Sequence, residues 1–319
     1  MAARTRYAPD RGLTARMTAT MFLLGLVFVA FIAAIIGIGA ATHGSDAAIV
    51  FFAVVLGGGM AIGSLFYSDK IALRTAGARE VTPEEAPELH GIVDRLCALA
   101  DMPKPRVAIA NTDMPNAFAT GRNADKAVLC VTTGLMRRLN PEELEGVISH
   151  EMSHVAHKDV QVMTIASFLA VIAALLIRIA FYGELFGGGR GRGGNNNNAG
   201  IIMLILMAVS IVVYAVSFLL IRMLSRYREL SADRSGALLT GQPSALASAL
   251  VKVTGDIARI PTRDLRQAEP LNAFYFTPAL SGQKGQTSLS NLFSTHPSLE
   301  KRLAQLDKIS KQLGSSAGS

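Results

Sequence analysis

The stretch NPEELEGVISHEMSH, residues 140–154, decides the fold because it predicts a helix that carries an HExxH motif. Asn140 is suited to cap this helix, and Glu143 is placed to complete a capping box. His150 and His154 are four residues apart, so their imidazoles project from one face of the helix. The two side chains can therefore bind one metal ion.

Glu151 follows the first histidine, and its carboxylate can hydrogen-bond a metal-bound water without ligating the ion. A catalytic zinc has three protein ligands and one open position, so a third ligand must come from elsewhere in the chain. Glu229 is the best candidate, because it forms a pair of carboxylates with Asp233 at helical spacing. Such a pair favours a compensating cation, or a role for Asp233 in orienting a ligand histidine. The alternative is a solvated face on which arginines neutralise both acids, namely Arg226, Arg228 and Arg234.

The composition indicates a membrane protein with one globular domain. Of 319 residues, 50% are hydrophobic and 17% charged, whereas soluble proteins have about 25% charged residues. The two cysteines, Cys97 and Cys130, are too few for a secreted disulfide framework, which favours a reducing compartment. The net charge of +7 comes without tryptophan and without the aromatic interleaving of a nucleic-acid groove. We therefore expect the lipid bilayer as a partner, and no nucleic acid.

Four apolar runs are candidate membrane spans, at residues 21–41, 47–66, 162–185 and 201–221. About 20 helical residues, at about 1.5 Å each, cross a hydrocarbon layer of about 30 Å. The third run contains Arg178, so whether it spans fully stays open. Basic residues flank the outer ends of the first two runs, which places the N-terminus and the chain after residue 67 in the cytoplasm. The scarcity of charges inside the runs argues against a transporter or channel.

The runs divide the chain into predicted segments. These are a basic cytoplasmic tail (1–20), a transmembrane hairpin (21–66), the first part of a cytoplasmic domain (67–160), a second apolar hairpin (161–221) with a Gly/Asn-rich linker (187–200), the second part of the domain (222–311) and a flexible tail (312–319). The pattern predicts a helix at 83–100, strands at 106–110 and 127–132, and a final amphipathic helix. We expect a mainly α multi-pass membrane protein with a small β-sheet and a cytoplasmic zincin-like metalloprotease domain.

Several motifs together resemble the HtpX family of bacterial membrane heat-shock proteases, which are distant relatives of the CAAX prenyl endopeptidases. The resemblance is carried by the N-terminal hairpin and by residues 116–121, 142–159, 229–233 and 292–297 with Arg302. The chain departs from the family at His157-Lys158, where the family commonly has Asn-Gly before the following aspartate.

The resemblance implies a zinc endopeptidase with one Zn²⁺ per subunit. His150, His154 and Glu229 would ligate the zinc, Glu151 would act as general base and acid, and Asp233 would support a ligand. The implied activity is the cleavage of misfolded or damaged membrane proteins in the bacterial inner membrane, as quality control under stress. It would proceed by Glu-assisted attack of a zinc-bound water. A CAAX-type prenyl-protein endopeptidase and a non-catalytic zinc-stabilised scaffold are the alternatives.

The resemblance also implies residues that contact polypeptide substrates. The strand around Asn116, Ala117 and Phe118 would pair with the substrate backbone. His296 and Arg302 would lie near the site, with His296 as a candidate for stabilising the oxyanion. From the residues alone, Asn116 is typical of a turn, His296 of the entry to the last helix, and Arg302 of an exposed charge.

Overall fold

The structure, a computed structural model, describes residues 11–41, 47–187, 197–257 and 296–316. Within these ranges the chain is mainly helical with one small mixed sheet, which confirms the predicted fold class. The helices are α1 (Arg11–Ala41), α2 (Ala47–Thr75), α3 (Pro87–Ala100), α4 (Thr133–Arg138), α5 (Pro141–Ala156), α6 (Asp159–Gly187), α7 (Asn197–Thr240), α8 (Pro243–Ile257) and α9 (Leu299–Ser316). The strands are β1 (Ala78–Glu80), β2 (Arg106–Ala110), β3 (Ala117–Thr120) and β4 (Val128–Thr132).

The chain divides into two compact units. Unit 1 contains Met1–Arg16, Leu65–Gln161 and Ser225–Ser319, and unit 2 contains Met17–Ser64 and Val162–Leu224. The segment boundaries predicted from the sequence, at residues 66, 160 and 221, lie close to these limits. The cytoplasmic and transmembrane assignments of the segments stay predictions.

Three helices of the described ranges are long and apolar enough to cross a membrane, over Arg11–Gly37, Asp159–Ile179 and Leu204–Thr240. In unit 2, side chains of these helices pack around Phe31, Ile172 and Leu176, which are at most 1% exposed. The predicted span at 47–66 falls in α2, but its side chains up to residue 54 lie outside the described part, as does most of the Gly/Asn-rich linker.

Two of the long helices extend beyond their predicted ends. α1 begins at Arg11, ten residues before the predicted span, so part of the predicted tail is helical. α7 continues without a break from the apolar run into the polar segment that contains Glu229. The continuity has a simple cause, because no proline lies between Ile221 and Thr240 and Gly236 is the only glycine there.

The sheet of unit 1 has the strand order β1-β2-β4-β3. β2 and β4 are parallel, and the two outer strands are antiparallel to their neighbours. β2 confirms the predicted strand, and β4 begins one residue later than predicted. Every residue of β4 is buried, which explains its uninterrupted apolar run. The pattern missed β1 and β3, which have only three and four residues.

The helix predicted at 83–100 is shorter than expected, because α3 begins at Pro87. Ala86 has φ −143° and ψ 63°, outside the helical region. A residue that precedes proline avoids the α conformation, so the helix cannot extend backwards through this position. α3 packs with α5, α8 and α9 into the core of unit 1, and Leu96, Ile148, Leu250 and Ile309 are at most 1% exposed there.

Candidate active site

Helix α5, which carries the HExxH motif, begins with the predicted capping box. The Asn140 side chain accepts a hydrogen bond from the Glu143 N–H at 2.8 Å, and the Glu143 carboxylate accepts one from the Asn140 N–H at 3.0 Å. Glu143 also accepts a hydrogen bond from the Ser248 hydroxyl at 2.6 Å and pairs with Lys252 Nζ at 2.7 Å, both on α8. These contacts fix the start of the helix against its neighbour.

A glycine lets helix α7 approach α5 closely at the HExxH motif. A Cβ atom at Gly236 would lie only 2.9 Å from the backbone nitrogen of His150. At the same place the Ser149 hydroxyl donates a hydrogen bond to the Gly236 carbonyl at 3.3 Å. Glu229 and Asp233 precede this glycine on α7, and the approach brings them beside the two histidines.

His150, His154 and Glu229 form a cluster in which one ligand atom of each lies within 4.8 Å of the others. The two histidine Nε2 atoms are 3.2 Å apart. The Glu229 oxygens lie 3.5 Å from His154 Nε2 and 3.7 Å from His150 Nε2. Nitrogen or oxygen ligands at about 2.1 Å from a tetrahedral zinc are roughly 3.4 Å from one another. The three side chains therefore fit around one zinc ion, with a donor set that suits a catalytic site.

His150 contacts a buried ion pair through its Nδ1 atom, on the side of the ring away from the cluster. Its Nδ1 lies 2.9 Å from an oxygen of Asp233. Arg302 donates two hydrogen bonds to the Asp233 carboxylate, at 2.7 and 2.6 Å. Burial alone lowers the pKa of His150, but Asp233 and Glu229 outweigh it and raise the pKa to about 9. The carboxylates thus favour a cation at this imidazole. We call His150, Asp233 and Arg302 the His150 arm.

His154 is held in a parallel way by residues that the sequence analysis did not assign. Its Nδ1 is hydrogen-bonded to the Asp159 carboxylate at 2.5 Å. The Nε of Arg228 lies 2.9 Å from the same oxygen. We call these three residues the His154 arm. The only signal in the sequence is an acid five residues after the second histidine, at the start of the next helix.

The turn between α5 and α6 carries the departure from the family pattern. α5 ends at Ala156, and Lys158 has a left-handed backbone with φ 58°. A lysine thus adopts the conformation that glycine adopts most easily. His157 is half-buried, and burial lowers its pKa. It is not a member of the histidine–glutamate cluster.

Glu151 lies between the catalytic helix and strand β3. One carboxylate oxygen accepts a hydrogen bond from the Ala119 N–H at 3.2 Å. Burial raises the pKa of Glu151, against the lowering effect of His150 and His154. On the other side of the strand, the Asn116 carbonyl accepts from the β4 backbone. Since backbone groups alternate along a strand, those of residues 117 and 119 point away from β4, towards the outer edge of β3 beside Glu151. No other strand among the described residues pairs with this edge, which we call the open edge.

The remaining predicted site residues differ in what they can contribute. His296 Nδ1 lies 3.0 Å from a Glu229 oxygen, so His296 is at the cluster. Arg302 is only 2% exposed, and its interpretation as an exposed charge is wrong. Asn116 is buried, and its backbone N–H and carbonyl are both hydrogen-bonded to the Thr132 hydroxyl. The Phe118 side chain packs with Ala72, Ala108, Ala110, Val128 and Cys130, and its backbone lies opposite Cys130 of β4.

Known proteins resemble this chain over most of its length. The profile described as peptidase family M48 matches residues 83–310. Protease HtpX homolog 1 of Streptomyces coelicolor is 58% identical and covers 98% of this chain and 97% of its own length. Protease HtpX homolog of Moorella thermoacetica is 54% identical (97% and 98%), and protease HtpX homolog 2 of Methanosarcina mazei is 50% identical (97% and 99%).

Among solved structures, the crystal structure of S. mikatae Ste24p has a TM-score of 0.49 and 17% identity, and covers 93% of this chain and 66% of that one. The family profile matches most of the chain, and relatives at least 50% identical match it over nearly their whole length. The three apolar helices are long enough to cross a membrane, as expected for a membrane protein. The chain therefore belongs to peptidase family M48 and is a membrane metallopeptidase.

Proposed function

We propose that the chain is a zinc-dependent endopeptidase that cleaves unfolded or damaged membrane proteins as quality control under stress. His150, His154 and Glu229 hold the zinc, and Glu151 is the catalytic base. One observation carries the proposal: ligand atoms of His150, His154 and Glu229 lie within 4.8 Å of one another, and the buried Glu151 is on the same helix as the two histidines. Family membership requires a metal, and the two imidazoles with one carboxylate favour zinc among the metals.

The described residues supply the parts of a peptide hydrolysis. A bound zinc supplies a Lewis acid that polarises the scissile carbonyl and acidifies water. Glu151 takes a proton from the attacking water and later returns it to the leaving amine. The Ala119 N–H, 3.2 Å from the Glu151 carboxylate, holds this base at the edge of the sheet. The two arms fix the orientation of the ligand imidazoles, so that both Nε2 atoms face the same point.

The open edge of β3 is the proposed place for the substrate backbone. An extended polypeptide that pairs with the backbone of Ala117 and with the Ala119 carbonyl forms main-chain hydrogen bonds, which any sequence can offer. Such binding selects unfolded segments over folded ones, because a folded segment has already paired its backbone. The scissile bond then lies beside Glu151, which contacts the same strand.

The proposed location of the site is the cytoplasmic face of the bacterial inner membrane, from the basic residues that flank the first two apolar runs. A cysteine introduced at Glu142, which is exposed on α5, tests this orientation. Both native cysteines are buried. A membrane-impermeant thiol reagent should label Glu142→Cys only after the cells are permeabilised, and labelling in intact cells would refute a cytoplasmic site.

The catalytic proposal is tested with Glu151→Gln, beside Glu142→Gln as a matched change on the same helix. Zinc content is measured by mass spectrometry on the purified proteins, and cleavage is measured on an unfolded membrane protein. Glu151→Gln should keep its zinc and lose cleavage by about 10²-fold or more, because a neutral amide cannot take the proton. Glu142→Gln should keep both properties. Glu229→Ala should lose zinc.

Each alternative predicts a different result. Cleavage that persists in Glu151→Gln would refute the proposed base. A wild-type protein that binds zinc but cleaves no substrate would support the scaffold. A strong preference for farnesylated over unmodified peptides would support a prenyl-protein endopeptidase instead of a protease of unfolded proteins.

A further inference from the structure

The turn that joins strand β3 to β4 lies at the end of the open edge, and two contacts from helices hold it. Gln161, in the first turn of α6, donates a hydrogen bond from its side-chain amide to the Arg122 carbonyl at 2.5 Å. The Arg122 guanidinium lies over the Phe66 ring of α2, with its Cζ 4.8 Å from the ring centroid. All three residues belong to unit 1. The end of β3 is therefore tied to two helices outside the sheet.

The turn itself is compact and bonded to itself. Gly121 has φ 144°, and a Cβ atom there would lie 2.7 Å from the Lys126 carbonyl oxygen, so the two sides of the turn are in close contact. The Asn123 side chain accepts a hydrogen bond from the Lys126 N–H at 3.0 Å and caps the short 3-10 helix Ala124–Lys126. The turn thus moves as one unit, and a contact at Arg122 positions the end of β3 with it.

The first turn of α6 contacts both the metal cluster and the end of the open edge. Asp159 is hydrogen-bonded to His154 Nδ1 at 2.5 Å. Gln161 follows two residues later and holds the Arg122 carbonyl. With about 3.6 residues per helical turn, side chains two positions apart point to roughly opposite sides of the helix. One turn of α6 therefore separates a metal ligand from the strand end and sets the distance between them.

We propose that Gln161 is a positioning residue, which fixes the open edge of β3 relative to the metal cluster for an extended polypeptide substrate. This role depends on the proposed function, because the edge needs a fixed position only if a substrate backbone pairs with it. A bound substrate must pair with β3 and place its scissile bond beside Glu151 at the same time. If the strand end moves, only a fraction of the molecules can satisfy both requirements, and the apparent affinity falls by that fraction.

Loss of the Gln161 hydrogen bond should weaken substrate binding and leave the chemical step nearly unchanged. A bound polypeptide orders the strand again through its own backbone pairing, so the penalty is paid on binding. The KM and the Kd of the substrate should rise about 5–10-fold, as expected for one hydrogen bond. The kcat should change by less than about two-fold. Zinc affinity should stay the same, because His154 and Asp159 keep their contact.

The test uses the full chain in a neutral detergent with an unstructured, fluorescently labelled decapeptide. Gln161→Met removes the donor and nearly keeps the side-chain length, whereas Gln161→Lys supplies a donor again. Gln305→Met is the matched control, since the half-buried Gln305 donates a similar hydrogen bond from α9 to the Leu230 carbonyl of α7, at 2.8 Å.

Three measurements are made on each variant. Steady-state cleavage gives KM and kcat. Fluorescence anisotropy gives the Kd of the decapeptide in a Glu151→Gln background, in which the bound peptide is not cleaved. Competition with a chelator gives the zinc affinity.

Gln161→Met should raise KM and Kd by about 5–10-fold, Gln161→Lys should lie within about two-fold of the wild type, and Gln305→Met should keep the wild-type values. Unchanged KM and Kd in Gln161→Met, or an equal rise in Gln305→Met, would overturn the positioning role while the peptidase function stands. So would a Gln161→Lys variant that binds as weakly as Gln161→Met. A wild type that neither binds nor cleaves the peptide would refute the proposed function, and the positioning role with it.

Discussion

The two histidines of the HExxH motif are supported by two arms of the same design but of different burial. In the His150 arm, the histidine, the aspartate and the arginine are 1%, 0% and 2% exposed as side chains. In the His154 arm the corresponding values are 12%, 2% and 12%. Each arm places a carboxylate behind Nδ1 and an arginine behind the carboxylate. In the less buried His154 arm, water can replace a hydrogen-bond partner that is removed, whereas in the His150 arm it cannot.

The arms also differ in how the chain assembles them. The His154 arm is local only in part, because Asp159 follows His154 by five residues but Arg228 comes from the distant helix α7. The His150 arm combines three distant helices, and Arg302 lies 69 residues after Asp233. The histidine–aspartate pair of the His154 arm forms with α5 and α6, whereas Arg228 and every contact of the His150 arm require the packing of distant helices. The comparison teaches that the two histidines of one motif receive their carboxylates at different levels of structure, His154 from the adjoining turn and His150 from a distant helix.

The largest effect is expected when the arginine of each arm is removed. Arg302→Met leaves the Asp233 carboxylate buried without its bidentate partner and should lower the free energy of unfolding by about 3–5 kcal/mol. Arg228→Met should lower the free energy of unfolding by about 1–2 kcal/mol, because water can reach the Asp159 carboxylate on the side that Arg228 leaves. Denaturation of both variants in detergent measures the difference. Equal losses would mean that burial does not distinguish the arms.

The next effect concerns the carboxylates and is measured as metal affinity. Asp233→Asn and Asp159→Asn keep the side-chain volume and remove the charge behind Nδ1. Loss of such a partner weakens metal binding by about 10–100-fold. We expect the loss of metal affinity to lie near the upper limit for Asp233→Asn and near the lower limit for Asp159→Asn. Competition with a chelator of known affinity measures both losses. Circular dichroism controls for the fold. A stronger effect of Asp159→Asn would reverse the proposed order.

Gly236 tests how the His150 arm is positioned. In Gly236→Ala the new Cβ would meet the His150 backbone nitrogen at 2.9 Å, so α7 must shift and carry Asp233 with it. The variant should lose about 1–3 kcal/mol of stability and part of its bound metal.

Gly255→Ala on α8 is the matched control, since a Cβ there meets nothing within 4 Å. The substitution should raise the free energy of unfolding by up to about 1 kcal/mol, because alanine has a higher helix propensity than glycine. The predicted role of Gly236 is wrong if both variants behave like this control.

The smallest effect is expected at the turn of the His154 arm. Lys158 has φ 58°, a conformation that costs a residue with a Cβ about 1–2 kcal/mol. Lys158→Gly should relieve this strain and raise the thermal midpoint by an amount equivalent to about 1 kcal/mol or less, because glycine also gains entropy in the unfolded chain. Lys158→Ala, which keeps the Cβ, should show no gain. A similar gain in both variants would point to the lysine side chain instead.

The sequence predicted the parts of the site that depend on local pattern. Residues 140–154 predicted the capping box, the helix and the shared face of the two histidines, because each is set within one or two turns. Glu229 was found by its spacing to Asp233, and the structure brings both to the histidines. Strand β3 was found through the family resemblance and not through periodicity, because four residues are too short for a pattern.

Other features could not be read from the chain. The sequence suggested an exposed Arg302, since a single arginine in an amphipathic helix is usually solvated. The structure buries it against Asp233. The role of Asp159 was missed because a left-handed lysine is an improbable way to form the turn before it. The fit of α7 against α5 depends on Gly236, whose neighbours are known only when both helices are packed.

The sequence by itself determined the chemistry: a helix with two histidines and a base, apolar runs for a membrane, and a family of metallopeptidases. Tertiary structure alone decided which carboxylate stands behind each imidazole, which arginine is buried, and which strand edge faces Glu151. The physical reason is the distance along the chain over which each kind of interaction acts. Capping and helical periodicity act over a few residues, whereas the ligand geometry and the burial of charge depend on packing between helices far apart in the chain.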